Sequence, residues 1–169
     1  MMTELENFRQ EKDDFFRTDR QSPLTAEQKR SFNGLNYYPE NPALRLELVL
    51  ERNTRPEPIV LATSTGDERE YTHAGQIRFT VDGQQAVLQI YEADYGFFLP
   101  FSDATAAEET YGAGRYLEPE EDSPGVLLVD FNLAYNPYCA YNERWSCPLP
   151  PSANRLQVKI EAGEKKFHE

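Results

Sequence analysis

From Asn36 onward apolar side chains recur at every second position, and that period limits what the chain can fold into. Leu44, Leu46, Leu48 and Leu50 alternate with Arg45, Glu47 and Glu51. Successive side chains of an extended strand point to opposite faces, so this run puts leucine on one face and charge on the other. Ile77, Phe79 and Val81 alternate likewise, Asp82-Gly83 marks a tight turn, and Ala86, Leu88 and Ile90 alternate again, which predicts a β-hairpin. Further strands are predicted at Ile59 to Ala62, Arg69 to His73, Tyr95 to Phe101, Arg115 to Leu117 and Val126 to Phe131. A last strand is expected through Leu156, Val158 and Ile160. Residues 102–114 read as a loop, and Glu118 to Asp122 as a solvated acidic loop. Short strands with turn signals between them and little helix interleaved argue for an antiparallel sandwich or a partly open barrel.

Before Asn36 the period is helical. Thr3 and Glu6 have capping-box spacing, and Leu5, Phe8, Lys12 and Phe15 form an apolar stripe if the stem of Lys12 lies along it. Ser22-Pro23 interrupts that helix. Thr25 and Gln28 cap a second, which Asn33-Gly34 stops. The expectation is a mainly β protein with one or two N-terminal helices packed on it. Residues 1–169 form one domain in this reading: a helical arm over 1–34, and a β domain over 36–163 with a proline- and aromatic-rich loop at 132–155.

The chain carries 17 basic and 29 acidic residues, a net charge of −12. Nucleic-acid binding rests on clustered Lys and Arg neutralising phosphates, so nucleic acid and anionic membranes are excluded as expected partners. No apolar run approaches the roughly 20 residues of a membrane helix. The N-terminal MMTELENFRQEKDD is charged and lacks the apolar core of a secretory leader. A cytoplasmic protein with reduced thiols is therefore expected.

Both cysteines and the single tryptophan lie in the stretch DFNLAYNPYCAYNERWSCPLPP. Zinc wants four protein ligands, or three and water, and only His73 and His168 could add imidazoles, so no metal or other cofactor is expected. Cys139 and Cys147, among aromatic neighbours, are expected to be inert reduced thiols, with a disulfide second and a metal third. A nucleophilic cysteine would need a base or cation beside it, and His73 and Arg144 are the candidates. Glycine-rich Gly112-Ala113-Gly114-Arg115 lacks the spacing and the following helix of a phosphate loop.

Buried amides and carboxylates must be hydrogen-bonded, so the polar groups of this stretch either staple a loop or line a pocket. In the pocket reading Arg115 supplies a cation, Asp130 a carboxylate, and the aromatic side chains walls with polar tips. The candidate ligand-binding residues are Arg115, Tyr116, Asp130, Asn132, Tyr135, Asn136, Cys139, Tyr141 and Asn154. The leading expectation is a small-molecule-binding β domain whose pocket joins the Arg115 strand to the Asp130–Cys147 segment. A hydrolase-type enzyme using Cys139 or Asp130 in that pocket is the first alternative. A structural or protein-interaction module presenting its aromatic loop is the second.

The motifs GRYLE, DFNLAYNPYCAYNERWSCPLPP and NRLQVKIEAGEK, with FNGLNYYPENPALRLEL, STGDEREYTHAGQIRFTVDG and FFLPFSDATAAEETYGAGRYL upstream, resemble the domain of unknown function 1684 family of bacteria and archaea. The resemblance spans roughly residues 8 to 166. Ala153 stands where that family's glutamate is expected, so no role for that carboxylate carries over. The resemblance implies no activity.

Overall fold

The structure is a computed structural model that describes residues 1–168. Two helices, α1 (Glu4–Thr18) and α2 (Ala26–Ser31), precede eight strands: β1 (Arg45–Val49), β2 (Glu51–Ala62), β3 (Glu68–Val81), β4 (Gln84–Ala93), β5 (Gly96–Phe101), β6 (Arg115–Leu117), β7 (Glu120–Ser123) and β8 (Val126–Asp130). They form a three-stranded sheet in the order β1-β8-β7 and a five-stranded sheet in the order β2-β3-β4-β5-β6. Every strand pair is antiparallel. The two sheets do not close into a barrel. The chain passes from one sheet to the other at buried Leu50, which bonds Gly125 O through its N–H.

The alternation places the core as expected. Leu88, Ile90, Leu99, Phe101 and Leu117 of the large sheet meet Leu127 and Val129 of the small one and Phe131 just after it. The intervening residues Tyr71, Tyr91, Phe98 and Tyr116 point the other way and are covered by the 135–147 segment through Tyr135, Tyr138, Cys139, Trp145 and Cys147. A third cluster joins the arm to that segment, where Phe16, Leu24, Phe32 and Leu35 pack on Tyr141. The large sheet is thus buried on both faces.

Several boundaries differ from the sequence reading. Arg69–His73 and Ile77–Val81 are one strand, β3, which absorbs Ala74 as a bulge between His73 and Gly75. Its hairpin turns at Asp82-Gly83 with φ of 49° and 79°, the double left-handed geometry of a type I′ turn. The acidic stretch after Leu117 is not a loop: Glu120–Ser123 pairs with β8 as an edge strand, exposed throughout. Charge on an edge discourages pairing with another chain.

The expected last strand is absent. Leu156, Val158 and Ile160 do turn inward onto the core. Their backbone is instead bonded group by group: Leu156 N–H to Ser102 O at 2.8 Å, Ala104 N–H to Val158 O at 2.9 Å, and Ile160 N–H to Asp103 Oδ2 at 2.6 Å. Alternation reports which way side chains face, and a singly anchored extended segment produces it as well as a sheet does.

The arm also departs from expectation. Thr3 caps α1 and the Thr25–Gln28 capping box opens α2, as the spacing predicts. Leu5, Lys12 and Phe15 of the expected stripe are part buried, but the inner face also takes in Arg9, Asp13 and Phe16, and Phe8 is left 45% exposed. Arg9 donates to Tyr38 O at 2.9 Å and lies over the Tyr37 ring, and Asp13 accepts from Leu35 N–H and the Tyr37 hydroxyl, both at 3.1 Å. Polar residues help dock this helix, so an apolar stripe alone could not locate its whole inner face. Among the described residues no helix is long and apolar enough to cross a membrane.

Candidate functional site

Arg115 opens β6 and is 1% exposed. Its guanidinium donates to the carbonyls of Ile160 at 2.9 Å, Glu164 at 3.1 Å and Ala162, and to Asp103 Oδ1 at 3.3 Å. Asp103 in turn accepts from the Thr105 hydroxyl at 2.8 Å and from Ile160 N–H. Burial lowers the arginine's pKa, an effect opposed by the charge of Asp103. This cation is held by the backbone of the C-terminal segment. Gly114 before it, at φ +106°, brings the backbone so near β5 that a Cβ would lie 2.5 Å from Phe101 O. Gly114 thus serves a close chain crossing.

The asparagines are likewise engaged. Asn132 exchanges two hydrogen bonds with the backbone of Asn41, at 2.8 and 2.9 Å, and donates to Asp130 at 2.9 Å. Asp130 caps the 3-10 turn Phe131–Leu133 by accepting from Asn132 N–H, and its other oxygen faces Arg45 at 3.8 Å. Asn136 donates to Lys165 O at 3.1 Å. Asn154, 0% exposed, accepts from Gln89 N–H at 2.7 Å and donates to Gln89 O and Pro100 O. Its side chain imitates a strand neighbour for β4.

Glu164, 2% exposed, was not singled out in the sequence. It pairs with Lys12 and accepts from Asn136 N–H at 3.0 Å and the Tyr141 hydroxyl at 3.2 Å. Burial, reinforced by this carboxylate, pushes the Tyr141 phenol well above its usual range. Tyr116 donates to Pro148 O, and burial raises its pKa too. Asp103 and Glu164 were legible only as acids near apolar positions, a weak signal in so acidic a chain.

Of the nine candidates, three remain part exposed: Asp130, which lines a small surface pocket of about 190 Å³ with Leu117, Glu118 and Leu133, Tyr135 and Cys139. Tyr135 is half-buried, donates to Glu118, and lies under the Lys12 ammonium at 4.9 Å. With Tyr138 it forms one wall of a groove whose other wall is α1, through Phe8, Glu11, Lys12, Phe15 and Phe16; the groove holds about 380 Å³.

Cys139 is half-buried and Cys147 buried, both free thiols. Cys139 N–H donates to Cys147 Sγ at 3.3 Å, and the Tyr111 hydroxyl donates to Cys139 Sγ at 3.7 Å. Hydrogen bonds from the Cys147 thiol, Tyr111 and Ser64 bring the Cys139 thiol down to about 6 against the opposing effect of burial, while Cys147, as donor and desolvated, is pushed up. The partners expected for a nucleophile are engaged elsewhere. His73 holds Asn53 through Nδ1 and Gln89 through Nε2, and Arg144 donates to Pro23 O at 3.3 Å. Among the described residues no group of three or more His, Cys, Asp or Glu could hold a metal ion.

A solution NMR structure of the uncharacterized protein from gene locus rrnAC0354 of Haloarcula marismortui has the same fold: 38% sequence identity over 98% of this chain and 94% of that one, with a TM-score of 0.73. No curated protein matches. The sequence profile of the family described as protein of unknown function (DUF1684) matches residues 30–165, most of the chain, so the chain belongs to that family.

Proposed function

We propose that the protein is a small-molecule-binding β domain that takes an apolar, aromatic ligand in the groove between α1 and Tyr135–Tyr138. The observation that carries this reading is Phe8, a large aromatic left 45% exposed on a helix whose neighbouring groove surface is already aromatic. Exposed apolar patches in concave surfaces mark binding sites more often than scattered single residues do. A volume of about 380 Å³ suits a small aromatic molecule, small-ligand sites being roughly 300–1,000 Å³. Glu11 and Lys12 at its edge give the ligand's polar end a place to lie. Catalysis is not part of the reading, because Asp130 is occupied as a cap and the groove holds no base facing a nucleophile.

Titration with the fluorophore anilinonaphthalene sulfonate tests it. Saturable binding is expected, weakened roughly ten-fold or more in Phe8→Ser, because burying a phenyl ring is worth about 1.5–3 kcal/mol. Phe8 is exposed, so this variant leaves the fold intact. Equal affinity of Phe8→Ser and the parent protein, or no binding to either, would overturn the assignment.

A further inference from the structure

We infer that Cys139 is a site of oxidation by peroxides and that Cys147 is its resolving thiol, the pair closing to a disulfide across residues 140–146. The inference is independent of the groove and rests on the arrangement of the two sulfurs. Cys139, in the 3-10 turn Tyr138–Ala140, is part exposed; Cys147 lies behind it, buried, with its Sγ 3.3 Å from Cys139 N. Cys147 is fixed in place: its N–H donates to Ser64 Oγ at 3.1 Å, and its carbonyl accepts from Ser64 N–H at 2.9 Å. The connecting residues are held separately, by Asn142, Arg144 and Trp145 converging on Pro23 O. One sulfur is therefore open to a small oxidant, and the other is close enough to follow it.

The surroundings of Cys139 favour its thiolate, which is the species that reacts. Its sulfur accepts from the Tyr111 hydroxyl at 3.7 Å, and the Cys147 thiol beside it is a second neutral donor that favours the thiolate. No carboxylate is among them. Arg69 favours the Cys147 thiolate and is anchored by donating to Ser146 O at 2.6 Å. A thiolate held by neutral donors in a half-buried site suits a small uncharged oxidant such as hydrogen peroxide or an alkyl hydroperoxide.

The chemistry balances in two displacements. Cys139 Sγ attacks one peroxide oxygen; an S–O bond forms, the O–O bond breaks, and the departing oxygen takes up a proton to leave as water or alcohol. Cys147 Sγ then attacks the sulfur of the resulting sulfenic acid, its proton passing to the hydroxyl that leaves as water. The S–S bond forms as the S–O bond breaks. The two sulfurs have together given two electrons to the peroxide.

Stoichiometric hydrogen peroxide is added to native protein at neutral pH, and free thiols are then counted after denaturation. The expected result is loss of both thiols, with full recovery on adding dithiothreitol. Cys147→Ser is expected to stop at a sulfenic acid on Cys139, trapped by dimedone, and Cys139→Ser to spare Cys147. Because either variant could lose structure, the parent protein also supplies a control. Native Cys139 is expected to alkylate with iodoacetamide at neutral pH roughly ten-fold faster than the same cysteine in the denatured chain, since thiolate fraction governs the rate. Persistence of both thiols after peroxide, or alkylation no faster than in the denatured chain, overturns the inference.

Discussion

Asn154 fastens its segment to the large sheet through its side chain. Three of its hydrogen bonds go to backbone groups of β4 and β5, and none of its surface is exposed. Asn154→Ala orphans Gln89 N–H, Gln89 O and Pro100 O at once. Each buried polar group so abandoned costs about 1–3 kcal/mol, so a total loss of ~3 kcal/mol is expected in chemical denaturation. Asn154→Asp keeps the acceptor for Gln89 N–H but sets a carboxylate against two carbonyls, and it is expected to be no milder. A loss below about 1 kcal/mol for the alanine variant would show that the segment carrying Asn154 is not tightly fastened to the sheet. The sequence announced Asn132, Asn136 and Asn154 as groups needing partners, and Arg115 as a cation for a pocket. It did not announce which partners, because backbone carbonyls of distant segments leave no mark in composition. That is why a pocket and a set of internal fastenings read alike until Arg115 is seen among the carbonyls of Ile160, Ala162 and Glu164.

Helix α1 illustrates how an element can be foreseen while its orientation is foreseen only in part. Thr3 and the helical period mark its start, yet its inner face holds Arg9, Lys12 and Asp13. The Lys12–Glu164 pair is the deepest of its attachments, with 18% and 3% of the two side chains exposed. Removing one partner of a buried pair leaves the other charged without compensation, at about 3–5 kcal/mol, whereas replacing both together is far milder. Lys12→Met is therefore expected to destabilise strongly, and Lys12→Met with Glu164→Gln to recover a good part of the loss. A double-mutant cycle read by denaturant unfolding measures that coupling, and additive effects would mean the pair does not hold the arm. Lys12 also sits over the Tyr135 ring, so the same variants are expected to alter fluorophore binding in the groove. The strands were easier to foresee, because a period of two survives whatever the strand is paired with. β7 escaped notice because every residue in it is exposed, which removes the alternation that would have revealed it.

Taken together, the two sheets and the arm meet on the segment from Leu156 to Glu164, which is neither strand nor helix. It lies against Ser102 and Ala104, receives the guanidinium of Arg115, and ends on Lys12. A chain lacking residues 156–169 is expected to keep β-rich circular dichroism yet lose its cooperative unfolding transition, since the arm and β6 would both lose their anchors. A sharp transition of unchanged midpoint in that shortened chain would refute this. The consequence reaches into biosynthesis. The partner of Lys12 lies 152 residues further on, so α1 leaves the ribosome long before the residue that anchors it is made. During that interval Phe16 can meet Leu24 and Phe32 but not Tyr141, and the half-covered cluster is then dependent on whatever shields apolar surface in the cell.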